Sequence, residues 1–194
     1  MTSDIALELI WPNYEVGPHK IVFALGVISV NFARFERAIT WMLAATTGCE
    51  ETEAETILRP LPPAEKLRKL KTAIEGRCWP QPVDGLIGHF FDAALVLVGN
   101  RNTLLHSNMI PNVNETARLF RSGRKNLTPE QIQIDLPSVR QIADDFQRYW
   151  DFGLALANCI SVEINGAARS EGSLVYHDWP ERPPFPFSLD GALP

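Results

Sequence analysis

Cysteine is scarce in this chain of 194 residues. Cys49, Cys78 and Cys159 are its three, and no two form a CxxC pair. An odd, scattered set builds neither a disulfide framework nor a structural zinc site, and it fits a reducing, cytoplasmic setting. The four histidines, His19, His89, His106 and His177, show no HxH or HxxxH spacing, so no metal site is expected. No Gly-rich phosphate loop, nucleophile elbow or carboxylate dyad is present, and no cofactor is expected. Long apolar runs are also missing. The longest, Ile21 to Val30, has ten residues, whereas a bilayer span needs about 20. Asp4, Glu8 and Glu15 mark the first 17 residues, where a signal peptide would be basic. No membrane partner is therefore expected. Basic residues are outnumbered, 18 against 23 acidic, for a net charge of -5. That excludes coating nucleic acid by bulk charge but leaves room for a local basic groove.

What is there reads as one globular, all-α unit, with 45% apolar and 21% charged residues. Apolar positions Ile21, Leu25, Ile28, Phe32, Phe35, Ile39 and Met42 step by 4 and 3. This heptad seam predicts a first helix from Pro18 to Thr47, stopped at Gly48. Glu50 to Glu55 reads as an acidic connection. A second helix follows Leu61-Pro62-Pro63 and ends at Gly76, with Leu67, Leu70 and Ile74 on one face. A third runs from Val83 to His106, with Val83, Ile87, Phe90, Ala94, Leu97, Arg101 and Leu104 on its seam. Within it Ala93 to Val98 is apolar all round, which supplies material for a subunit interface. Turn residues dominate Ser107 to Leu127, where Glu115 to Arg121 is read as one strand of a short hairpin insertion. The last helix starts near Asp135, its N-cap, and fades near Asn165. The expected architecture is an antiparallel four-helix bundle over residues 1–166. Residues 167–194, rich in proline and aromatics, form either an extended C-terminal strap packed on the bundle or a partly disordered tail.

The third helix ends in Gly99-Asn100-Arg101-Asn102-Thr103-Leu104-Leu105-His106. Arg101 sits at a seam position of an otherwise apolar helix. A guanidinium there needs a partner or a wet crevice, because a buried unpaired charge is prohibitively expensive. Asn102 and His106 share a face as i and i+4. Arg101 and His106 lie about 140° apart around the axis, so only the length of the arginine brings them to a common ligand. The plainer alternative is a pair of helix-end cations, with His106 as a cap. Glu36 is a candidate partner for Arg101, or a solvated carboxylate.

Arg101, Asn102 and His106 resemble the Arg-polar-x3-His motif of the HEPN superfamily (higher eukaryotes and prokaryotes nucleotide-binding). The layout over residues 18–163 is similar too: a long first helix with Phe32-x-x-Phe35-Glu36, a short helix after prolines, the motif closing the third helix, and a long final helix. The resemblance implies a metal-independent endoribonuclease with Arg101, Asn102 and His106 as catalytic residues, RNA as substrate, and a toxin-antitoxin or phage-defence role. It implies a homodimer through the third helix that pairs two motifs, and an antitoxin protein as candidate partner. Toxin members paired with a nucleotidyltransferase often carry Tyr two residues after the histidine. Here Asn108 stands there, so that modification is not open to this chain. The alternative is a non-catalytic HEPN-like module that binds RNA, nucleotide or protein.

Two basic clusters are candidate backbone contacts. Arg59 to Arg77 carries six basic and two acidic residues. Arg118, Arg121, Arg124 and Lys125 form the second, with Phe120 among them as a base-stacking ring. A solvated charged face is the alternative for each.

Overall fold

The computed structural model describes residues 18–79, 81–112, 116–121, 130–165 and 179–189. They are mostly helical, with five helices and one small sheet. Helix α1 (His19–Thr47) begins after Pro18 and ends at Gly48, whose φ of 74° is the left-handed cap that glycine adopts without strain. Helix α2 (Glu51–Leu58) replaces the expected acidic connection. Glu50 and Glu53 form a reciprocal capping box there, which satisfies N–H groups that a link would leave to water. Helix α3 (Pro63–Glu75) and helix α4 (Gln81–His106) follow the expected bounds closely.

The turn-rich stretch holds more sheet than one hairpin. Strands β1 (Asn108–Pro111), β2 (Thr116–Arg121) and β3 (Glu130–Asp135) form an antiparallel sheet in the order β1-β2-β3. Ala117, Leu119 and Ile134 are buried, so the sheet turns an apolar face to the helices. Helix α5 (Leu136–Asn165) starts as β3 ends. The Asp135 Oδ1 accepts the Ser138 N–H at 2.9 Å, as an N-cap should. That bond, with the Ser138 hydroxyl as the larger cause, holds the Asp135 carboxyl below its ordinary pKa.

One continuous core joins the elements. The seam of α1 is buried apart from half-covered Leu25, as are those of α3 and α5. Phe35 stacks on Phe90 at 5.7 Å and meets Phe146 edge-on at 5.9 Å, which ties α1, α4 and α5 together. Gly153 lets α5 approach closely, since a Cβ there would stand 2.9 Å from the Phe90 ring and 3.0 Å from Ala38. Within the apolar stretch of α4, Ala93, Ala94, Leu97 and Val98 are buried, while Leu95 is 60% exposed. Residues 83–106 are long and apolar enough to cross a membrane by composition alone, but more than half of that window is buried inside the chain. Residues 179–189 run as an extended strap along α4 and α5. The rest of the tail lies outside the described residues.

Candidate functional site

Arg101 and His106 meet despite their angular separation. The Arg101 Nη1 lies 2.6 Å from the His106 Nε2 and donates to the Asn102 Oδ1 at 3.1 Å. All three motif residues thus share one guanidinium. A guanidinium only donates, so Nε2 is the accepting nitrogen and the ring proton belongs on Nδ1. The Arg101 plane sits over the Phe32 ring, 5.0 Å from its centroid. This cation–π contact lets a seam position of α4 carry a charge against the seam of α1. The Arg101 Nε is buried without a hydrogen-bond partner.

Ser107, just past the helix end, is incomplete in the same way. Among the described residues, the buried side-chain nitrogen and oxygen atoms without a partner are Arg101 Nε, Ser107 Oγ and Arg118 Nε. Arg118 is half-buried on β2, opposite Ile110 and Gln133. Arg121 ends the same strand and donates to the buried Thr103 Oγ1 of α4 at 3.2 Å, so it reaches the motif-bearing turn. Phe120 is half-buried beside them. Arg124 and Lys125 lie outside the described residues.

Among the described side chains of α4, the exposed positions form a stripe: Asp84, Gly88, Asp92, Leu95, Asn102 and His106. Its spacing of three, four and seven is one helix face. The motif therefore lies on an open surface. A polar cavity of about 290 Å³ opens elsewhere, between α1, α2 and α3, with Glu36, Arg37, Arg59 and Lys66 in its walls.

Glu36 does not pair with Arg101. Its carboxylate holds the Lys66 ammonium at 2.7 Å, with both side chains mostly covered. The first basic cluster is partly neutralised besides. Arg68 pairs with Glu65 at 2.6 Å and Lys71 with Glu75 at 3.7 Å, and the Arg68 bond holds the Glu65 carboxyl below its ordinary pKa. Three of its six cations are thus engaged within the chain. His89, the other histidine of α4, contacts Tyr149 and the strap.

Sequence reasoning missed Phe32, Thr103 and Ser107 as neighbours of the motif. Phe32 was open to discovery, because it occupies the α1 seam as Arg101 occupies the α4 seam. Among the described residues, no three His, Cys, Asp or Glu side chains converge as a metal site. No family model matches this chain, and no curated protein or solved structure matches it significantly.

Proposed function

We propose that this chain is a HEPN-type endoribonuclease that acts without a metal ion and works as a two-fold dimer. In this reading α1, α3, α4 and α5 are the four helices of an antiparallel bundle. The observation that carries it is the convergence of Arg101, Asn102 and His106 on one guanidinium at the exposed end of α4. Histidine moves protons near neutrality. Arginine offers a planar fork for phosphate oxygens and for the charge that grows on them.

The ribose 2′-OH attacks the adjacent phosphorus and loses its proton to His106. The bond to the 5′-oxygen breaks, and that oxygen takes a proton. The products are a 2′,3′-cyclic phosphate and a 5′-OH. In the free chain Arg101 occupies Nε2. A phosphate that draws the fork toward itself releases that nitrogen as a base. On α4, His106 is the histidine available for this role, because His89 is engaged by Tyr149 and the strap. A two-fold axis near the end of α4 pairs two copies of His106, one as base and one as acid. The exposed stripe with Leu95 supports contact through this helix. Arg118 and Arg121 flank the motif as backbone contacts.

A second reading has its own observation. The 2.6 Å contact to Nε2 also suits a helix-end pair in a non-catalytic module that binds RNA, nucleotide or protein. Incubating the purified protein with RNA in EDTA, beside His106→Ala, separates the two. The nuclease reading expects cleavage with cyclic phosphate ends, lost in the variant. Binding without cleavage supports the module. Cleavage that persists in His106→Ala rejects this mechanism.

A further inference from the structure

Four side chains of α4 and α5 hold the main chain of the strap. The His89 Nε2 lies 3.0 Å from the Pro183 carbonyl and 2.8 Å from the Tyr149 hydroxyl. Tyr149 donates to the Pro184 carbonyl at 3.2 Å. One assignment satisfies all three contacts: Nε2–H is shared between the Pro183 and Tyr149 oxygens, and the Tyr149 O–H passes on to Pro184. Asp145 accepts the Phe187 N–H at 2.8 Å. The Asn100 amide donates to the Phe187 carbonyl at 2.5 Å and accepts the Leu189 N–H at 3.1 Å. This is the paired bond that a neighbouring strand would make.

Asn100, Asp145 and Tyr149 are all buried. Prolines 183, 184 and 186 carry no N–H and preset an extended backbone that loses little entropy on docking. Pro186 is covered, and the Phe185 ring meets His89 edge-on at 5.9 Å. Trp179, Phe185 and Leu189 pack against the core, while Glu181, Arg182, Pro184 and Phe187 stay exposed, so the strap is held by hydrogen bonds and by three apolar anchors. Stripped of it, the groove would leave Asn100 and the Asp145 Oδ2 without these partners, which favours refilling by a strand of the same chemistry. Residues 166–178, which join strap to helix, span at most about 45 Å when extended.

We infer that this α4–α5 face is a binding groove for a proline-rich strand, and that residues 179–189 are its exchangeable occupant, so that the same segment of a second copy binds there in trans. This stands apart from the nuclease reading. The test uses the full chain with a protease site placed within residues 166–178. After cleavage, a fluorescent peptide of residues 179–189 is added and its anisotropy followed. The peptide should enter the groove, displace the native fragment and be competed by unlabelled peptide. A peptide with Leu189→Pro lacks the donor to Asn100 and should bind about 2- to 12-fold more weakly, the worth of one neutral hydrogen bond. Asn100→Ala in the chain removes two bonds and should weaken the native peptide about 5- to 150-fold. A fragment that excess peptide never displaces would overturn the inference. So would equal affinity of the native and Leu189→Pro peptides, a result that does not depend on how any chain variant folds.

Discussion

Helix α4 carries two polar regions that differ in completeness. On the strap side, Asn100 and its α5 neighbours Asp145 and Tyr149 are buried and bonded. Asp145 binds Arg148 and Gln141 besides the strap. Burial, and then the Asp145 charge, push the Tyr149 phenol above its ordinary pKa, so it serves as a neutral donor. One residue further along, the Arg101 Nε has no partner, nor does the Ser107 Oγ just past the helix end. A satisfied network explains itself by stability. Buried donors left open are costly in a finished core; in the proposed nuclease reading, an RNA phosphate is what completes the end of α4. Substitutions in the two regions should therefore fail in opposite ways.

The largest effect belongs to the open end. His106→Ala and Arg101→Ala should each lower RNA cleavage by about 10²- to 10⁴-fold, while the melting temperature changes little. Arg101→Lys should recover only part of the rate, because an ammonium lacks the two-pronged grip. Next comes Asp145→Ala, which strands the Phe187 N–H and the Arg148 charge. It should cost about 2–4 kcal/mol in urea unfolding, with activity per folded molecule retained. Asn100→Ala should cost about 1–3 kcal/mol, seen as a melting point lower by about 2–4 °C per kcal/mol. Should any strap variant abolish cleavage at full stability, the division between the two regions breaks.

The smallest effect is the α5 cap. Asp135→Ala should cost about 1 kcal/mol. Its carboxyl titrates lower in the folded chain than in the unfolded one. The cap's stabilisation is therefore present above the unfolded value of about 3.9 and fades as pH falls through the lower folded value. Solvent exposure keeps that pH-dependent part small. An acid titration of wild type beside Asp135→Ala should show the two stabilities converging below pH 4.

How far the sequence told this story varies by element. The 3-and-4 steps of the long helices survive into the core, because each seam packs on others of the same kind. Helix α2 was hidden, since a run of glutamates looks like solvent-facing link and its cap uses Glu50 in place of serine or threonine. Strand β3 carries a period-2 signal in Gln131-Ile132-Gln133-Ile134, short enough to be lost among turn residues. Strand β1 ends in Pro111, which argued against a strand. The motif was legible as letters, but its closure was not, because only a side chain as long as arginine spans the 140°. Glu36 illustrates the remaining limit. Its partner Lys66 lies 30 residues away on another helix, and single-sequence spacing does not encode such pairings.

The most direct test of the difference between the two regions is a ¹H–¹⁵N spectrum of the arginine Nε–H groups, with His106 and His89 followed in parallel. The titrant is a 2′-O-methylated RNA strand, which lacks the attacking hydroxyl and so remains uncleaved. Signals of Arg101, Arg118 and His106 should shift together and saturably, while His89 and the Asn100 amide stay where they are. An Arg101 signal that does not move, or shifts confined to the strap side, would contradict the account.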